Sequence, residues 1–245
     1  MQQILGVDVG GTGIKGALIN VENGEMVSER FRLDTPTPAT PAAVAKTFAG
    51  ILKHFDYEGP IGCGFPAVIK GNRALTAANI DKSWIGKNVG DTFGSSKKQP
   101  IYVLNDADAA AIAEMEYGIG KNAKGLVMMV TVCTEIGSCL FLDGKMIPNT
   151  EFGHLRMRGK IAEKYCANSV RKNEDLSWEE WGKRFNEYLQ HVYHLLSLDK
   201  VILSGGVSKK FQKYEEYINL PIEVQPARLL NNAGIVGAAA YAAQQ

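Results

Sequence analysis

The sequence predicts an α/β protein built as two lobes, and three stretches carry the prediction. Pro100 to Leu104 is a short apolar, β-branched run, read as a buried strand, and Ala109 to Met115 is an alanine-rich run of good helix formers. Ile4 to Val9 and Val127 to Val132 are two further strands. Each leads into a turn ending in a glycine, Gly13 or Gly137, and then into a strand closed by Asn23-Gly24 or Asp143-Gly144. This is a weak internal repeat of two β-meanders, each opening one α/β lobe. Lys200 to Leu203 is a strand entering the turn Ser204-Gly205-Gly206-Val207-Ser208 ahead of a helix. Two lobes with facing loops make a cleft, the preferred place for a small ligand.

With 245 residues the chain can form one large domain or two small ones with real cores. Its 45% hydrophobic and 22% charged content is that of an ordinary globular protein, and a net charge of +1 gives no field for nucleic acid or membrane. Strand-like residues begin at Ile4, so no signal peptide is expected, and no apolar run reaches membrane-spanning length. Cys63, Cys133, Cys139 and Cys166 are scattered without a CxxC pair. That spacing argues against a disulfide framework and a cysteine-rich zinc site, and fits a reducing cytoplasm.

Taken in order, Gly10-Gly11-Thr12-Gly13 is a tight turn between the strands Ile4 to Val9 and Ile14 to Val21. Two readings stand for it: a plain hairpin whose glycines supply positive φ, or a loop whose bare N–H groups cradle a phosphate. Asn23-Gly24 turns the chain into a strand over Met26 to Leu33. Thr35 to Pro41 is an extended linker ending in an N-cap, Thr40, and a first-turn proline, Pro41. Val44, Phe48, Ile51, Leu52 and Phe55 are the apolar stripe of the helix that follows. Ile61 to Phe65 and Val68-Ile69 are strands around Pro66, and Thr76 to Gly86 is polar loop in which Asn79 and Asp81 read as turn formers.

Asn105, Asp106 and Asp108 stand where the central strand meets its helix. Capping needs one such residue and suits the helix dipole. Three within four positions also fit a catalytic carboxylate at a strand's carboxyl end, where α/β proteins bind ligands. Ser138 to Leu142 and Lys145 to Ile147 form a hairpin, and Pro148 to His154 is loop holding Asn149, Glu151 and His154. Ser177 to Glu180 is a capping box opening a helix to Leu196. The glycine turn at 204–208 before a helix is a ready anion site. Ile222 to Val224 is a short strand, and Asn231 to Gly234 starts the last helix. Trp84, Trp178 and Trp181 read as core or interface.

Asp8-Val9-Gly10-Gly11-Thr12-Gly13-Ile14-Lys15-Gly16, Asn105-Asp106-Ala107-Asp108-Ala109-Ala110, Glu151-Phe152-Gly153-His154 and Ser204-Gly205-Gly206-Val207-Ser208 together resemble the ROK sugar kinases, over nearly the whole chain. Within that family the sequence is most similar to the polyphosphate glucokinases. That likeness runs through Gly64 to Val68, Thr76 to Asp81, Ser83 to Gly86, Pro148 to Glu151 and Asn232 to Ala239. The resemblance implies two actin-like (ribonuclease H-like) α/β lobes around a central cleft. Residues 1–106 with 232–245 would form a small N-terminal lobe, and 107–231 a larger C-terminal one.

The resemblance also implies roles. Asp106 would be the base that takes the proton from a sugar's 6-hydroxyl. Asn79, Asn105, Glu151, His154 and Glu163 would hold the other hydroxyls. Asp8, Gly10, Gly11, Thr12 and Lys15 would face the donor phosphates, with Asp8 also on magnesium. Thr131, Thr134, Gly137, Gly205 and Gly206 would line the donor site. His154 keeps the plainer reading of a loop residue that caps or packs, and Glu163 that of a solvated helix residue. Phosphoryl transfer needs little beyond positioning, charge neutralisation and a well-placed acceptor oxygen, with lobe closure excluding water.

The activity implied is a cytoplasmic kinase acting on the 6-hydroxyl of glucose. The donor implied is polyphosphate, with ATP as a further donor, together with Mg2+. A homodimer is the family's usual form, and no nucleic-acid or membrane partner is expected. For the polyphosphate chain, Lys82, Lys87, Lys121, Lys124, Arg171, Lys209 and Lys210 are candidate track residues. Two departures from the family stand out. Only Cys166 follows the Glu-x-Gly-His motif, so no structural zinc is expected. The family's second phosphate turn, Gly-Thr-Gly-Ile-Gly-Ser, is here Cys133-Thr134-Glu135-Ile136-Gly137-Ser138. Side chains at 133 and 135 would resist positive φ. A carboxylate about 5 Å from a phosphate charge repels it by roughly 3 kcal/mol at an effective dielectric near 20. This predicts a distorted turn and a weakened kinase with intact glucose binding. The rival readings are a catalytically impaired sugar-binding protein, an ATP-dependent kinase of another hexose, and a sugar-responsive transcription regulator. The last needs a DNA-binding domain ahead of the core, and only Met1-Gln2-Gln3 precede the first strand.

Overall fold

The computed structural model describes residues 2–78 and 80–245. They divide into two compact units, one running to Tyr117 and including Asn231–Gln245, the other Gly118–Leu230. The expected role of Asn79 lies outside the described residues.

The first unit comprises β1 (Gln3–Val9), β2 (Gly13–Asn20), β3 (Glu25–Met26), β4 (Phe31–Asp34), α1 (Pro41–Phe55), β5 (Ile61–Phe65), the hairpin β6 (Ile69–Lys70) and β7 (Arg73–Ala74), α2 (Val89–Thr92), β8 (Ile101–Asn105) and α3 (Asp106–Tyr117). Its sheet runs β3-β2-β1-β5-β8, with β4 also on β2. β1 and β2 are antiparallel, whereas β5 and β8 extend the sheet in parallel. β5 is buried on both faces, which explains its unbroken apolar run. The single strand expected over Met26 to Leu33 is instead β3 and β4. Ser28 Oγ accepts the Leu18 N–H at 2.9 Å, so a side chain stands in for a strand carbonyl and the pairing breaks there. At the free edge of β8 the Asn72 amide donates to Ile101 O at 3.1 Å and accepts from Val103 N–H at 3.0 Å, covering groups that would otherwise pair with another chain. Thr40 caps α1 and Pro41 opens it; Val44, Phe48 and Ile51 are buried, each burial stabilising by about 1.5–3 kcal/mol.

The second unit holds β9 (Leu126–Val132), β10 (Ile136–Leu142), β11 (Lys145–Thr150), the small hairpin β12 (Arg156–Met157) and β13 (Lys160–Ile161), α4 (Glu163–Cys166), α5 (Asn168–Asn173), α6 (Trp178–Leu196), β14 (Lys200–Ser204) and β15 (Glu223–Pro226). Its sheet runs β11-β10-β9-β14-β15: an antiparallel meander extended by two parallel strands, the connectivity of the first unit's main path. The faint repeat in the sequence is thus a repeated topology. Both halves of the capping box at Ser177 and Glu180 form, and α6 buries Trp181, Phe185, Tyr188, Leu189 and Val192 at helical spacing. The helix expected after Gly206 is a 3-10 helix, Ser208–Lys213, kinked at Lys210. Its short, broken hydrogen-bond run gives little dipole for an anion.

α7 (Ala233–Ala243) returns to the first unit and presses on it without side chains between. A Cβ at Gly62 would lie 1.7 Å from Ala238 O, one at Gly6 2.1 Å from Ile235 O, and one at Gly237 1.7 Å from Ala109 O. The chain crosses between units at Tyr117–Gly118, so α3 sits with the first unit, whereas the sequence reading divides the chain after residue 106. Trp84 and Trp181 are buried, donating to Ala39 O and Cys166 O. Among the described residues no helix is long and apolar enough to cross a membrane.

Candidate functional site

In the first unit the candidate residues gather at the carboxyl ends of β1, β5 and β8. Asn105 ends β8 and caps α3: its Oδ1 accepts from the N–H groups of Ala107 at 2.9 Å and Asp108 at 3.1 Å, and its Nδ2 donates to Ala67 O at 3.1 Å. Capping is therefore the work of Asn105, and Asp106 is left over for chemistry, apart from one bond from Ala107 N–H at 2.9 Å. Asp108 is buried within α3.

The strand register sets Asp8 beside Gly64 and Gly64 beside Leu104. A Cβ at Gly64 would lie 3.7 Å from Asp106 Cα and 3.8 Å from Asp8 Oδ1, so glycine keeps the ground between the two carboxylates clear. Burial, then the Asp8 charge, pushes the Asp106 carboxyl up to about 7, against the lowering effect of its backbone hydrogen bonds. Lys15 Nζ lies 3.2 Å from Asp8 Oδ2, the two side chains being cross-strand neighbours.

The turn after Asp8 is closed by Gly10 N–H to Gly13 O at 3.0 Å, and Thr35 Oγ1 donates to Gly10 O at 2.6 Å. Of the two readings of this turn, the one that needs its glycines for positive φ is not met: none of Gly10, Gly11 and Gly13 adopts it. A Cβ at Gly13 would meet the Arg32 guanidinium, the movable end of an exposed side chain. Gly11 faces open space, with no atom within 4 Å of where its Cβ would stand. A backbone bare toward open space suits close approach by an anion.

In the second unit two groups form. Thr131 pairs with Gly137 on one side and Ser204 on the other, so the turns at 133–135 and 205–206 leave the same carboxyl end of the sheet. Gly205 has φ +83°, and a Cβ there would lie 2.5 Å from Val132 O and 2.9 Å from Cys133 Sγ. The strain expected at Cys133 and Glu135 is absent, because neither has a left-handed backbone. The turn closes instead through Cys133 N–H to Glu135 O at 2.9 Å.

The other group is acidic. Thr150, Glu151, Phe152, His154 and Leu155 line an open pocket of about 390 Å³. Gly153 packs on β10, where a Cβ would meet Ile136 O at 2.1 Å, which brings the 151–154 stretch beside Glu135. Burial raises the Glu151 proton affinity, His154 lowers it, and Glu163 and Glu135 raise it. His154 Nδ1 is 3.6 Å from Glu151 Oε2, and Glu163, on α4, is buried with Lys164 Nζ at 3.5 Å. Glu163 is thus no solvated helix residue. The charge of Glu135, in the 133–135 turn, therefore bears on Glu151.

Sequence reasoning passed over Asn168 and Ser169. Asn168 N–H donates to Cys133 O at 3.1 Å and Ser169 Oγ to Thr134 O at 2.5 Å, tying α5 to the altered turn. Asn-Ser at a helix start signals a cap and gives no hint of a distant partner.

The family model described as the ROK family matches residues 4–174. A polyphosphate glucokinase of Mycobacterium tuberculosis is 46% identical over 235 residues, 96% of this chain and 89% of the relative. The polyphosphate glucokinase of Mycobacterium leprae is 42% identical over 235 residues, 96% of this chain and 72% of the relative. An inorganic polyphosphate/ATP-glucomannokinase from Arthrobacter sp. strain KM superposes with a TM-score of 0.93 at 39% identity, all of both chains being covered. The fold is therefore the two-lobed, actin-like one of these sugar kinases, and the chain belongs to the ROK family.

Proposed function

We propose that the chain transfers a phosphoryl group to the 6-hydroxyl of glucose, with inorganic polyphosphate as donor and ATP as a further donor. Relatives named for that activity support the reading over almost the full length. The observation that carries it is Asp106: a carboxylate freed from capping, at a strand's carboxyl end, with its pKa brought to about 7. A base with that pKa is half ionised near neutrality and accepts a proton without being inert. The 6-hydroxyl oxygen attacks the terminal phosphorus, the bond to the rest of the donor breaks, and the hydroxyl proton passes to Asp106.

Glu151, His154 and Glu163 hold the remaining hydroxyls, and the second hydrogen of the Asn105 amide remains for one more. Gly10, Gly11, Thr12 and Lys15 receive donor phosphates in the first unit; Thr131, Thr134, Gly137, Gly205 and Gly206 do so in the second. Magnesium fits Asp8, since it takes one or two carboxylates and completes its shell with phosphate oxygens and water. Bound there it supplies neutralisation of donor charge. Among the described residues no group of three or more His, Cys, Asp or Glu is arranged to hold a metal by itself. A cytoplasmic homodimer without nucleic-acid or membrane partners completes the reading, supported by family habit, cysteine spacing and a net charge of +1.

The test is a coupled assay for glucose 6-phosphate with each donor in turn, run on the parent and on Asp106→Asn. Substitution is expected to lower turnover by roughly 10²–10⁴-fold while glucose still binds. Near-normal turnover in Asp106→Asn would remove the base assignment. Mannose is the second acceptor to assay, given the 39% identical glucomannokinase.

A further inference from the structure

We propose that Asn168 is a donor-phosphate ligand, its side-chain amide donating to a phosphate oxygen at the Gly205–Gly206 turn. The proposal rests on reading that turn as the donor site. The ligand class is a phosphoanhydride chain, whether polyphosphate or the triphosphate of ATP.

Three observations in the second unit lead there. The carbonyl of the Asn168 amide is fixed, because Arg171 Nε donates to its Oδ1 at 3.2 Å. An amide with its oxygen so engaged must turn its NH2 the other way. On that side Nδ2 lies 3.8 Å from where a Cβ of Gly206 would be, so the NH2 group and the bare face of the turn border the same space. Among the described residues Nδ2 donates to no protein atom, and Gly206 is exposed. Finally, the Cys133 N–H of the altered turn is engaged by Glu135 O and is not offered to a ligand. A neutral amide from α5 supplies a hydrogen-bond donor beside a turn that carries Cys133 and Glu135 where the family pattern has glycines.

Arg171 is the residue that holds this arrangement. Its guanidinium lies over the Trp178 ring at 4.2 Å, and its Nη1 donates to Leu176 O at 3.4 Å. Stacked and hydrogen-bonded in this way, it positions Asn168 and is not a loose surface cation tracking a polyanion.

Asn168→Asp keeps the shape but replaces the donor by an anion, and Asn168→Ala removes the group. Donor KM is expected to rise about ten- to hundredfold for both polyphosphate and ATP, with glucose KM unchanged. Arg171→Met, which keeps the stacking stem, should raise donor KM by less. Unchanged donor KM in folded Asn168 variants would overturn the proposal. A second measurement needs no variant: on titrating the parent chain with magnesium tripolyphosphate, the side-chain ¹⁵N resonance of Asn168 should shift. Tripolyphosphate binding without that shift would overturn the proposal even if the kinase reading holds. Absence of glucose 6-phosphate with every donor, beside a shifted Asn168 resonance, would instead sink the kinase reading and leave the phosphate site standing.

Discussion

Asp106 is held in a state that costs stability. The unfolded chain ionises it near 3.8, whereas in the fold its pKa is about 7, so folding favours the neutral form. The contribution is fully present below about pH 4 and is lost as pH rises through 7, a difference of up to about 4 kcal/mol. The proposed proton transfer runs the other way, because only the ionised carboxylate accepts a proton. Turnover should therefore fall as pH drops through about 7, and Asp106→Asn should melt higher than the parent at pH 8, the gap closing toward pH 4. A gap that stays the same at both values would show that the carboxyl is not strained by burial. Asp106 stands out in the sequence because three polar groups crowd one strand-to-helix junction, but that crowding leaves cap and catalytic carboxylate both open, and the proposed base role comes from the family resemblance. Asn168 does not stand out, since of its neighbours only Arg171 is near in sequence, and Cys133 and Gly206 meet it only in the folded chain.

Secondary elements were legible where one residue type has one use. Thr40-Pro41 and the Ser177 capping box begin their helices as expected, and Ser177→Ala should cost about 1 kcal/mol of stability, read from denaturant unfolding. The strand over Met26 to Leu33 failed because a side-chain hydroxyl took the place of a carbonyl, which alternation of apolar residues does not report. The glycines are the harder lesson. Those of the Gly10 to Gly13 turn look conformational and are not, while Gly62 and Gly237, which look incidental, let α7 lie on β5 and α3. Gly237→Ala is expected to destabilise by about 1–3 kcal/mol, seen as a lower Tm, because the methyl meets backbone that cannot rotate away. A Tm equal to the parent's would mean that α7 shifts freely.

Each unit repeats one topology, a meander followed by two parallel strands, and this much was visible in the two strand–turn–strand openings. The crossing point was not, because an alanine-rich helix carries no mark of the unit it joins; α3 is assigned by its packing on α7. Donor choice belongs to the whole molecule as well. Lys82, Lys87, Lys121, Lys124, Lys209 and Lys210 are exposed, whereas Arg171 is half-buried and engaged. If the exposed lysines track a polyanion, raising salt from about 50 to 200 mM should raise polyphosphate KM about tenfold or more, through counterion release, and leave glucose KM alone. Salt-independent use of polyphosphate would argue against an extended track.

The central claim is that this chain phosphorylates glucose and that Asp106 takes the proton. The direct measurement is the initial rate of glucose 6-phosphate formation from glucose, magnesium and either polyphosphate or ATP, followed across pH 5 to 9. The prediction is turnover with polyphosphate, rising through a midpoint near 7 in the parent and nearly abolished in Asp106→Asn. A parent chain that forms no glucose 6-phosphate from either donor, or one whose Asp106→Asn variant keeps its rate, would contradict it.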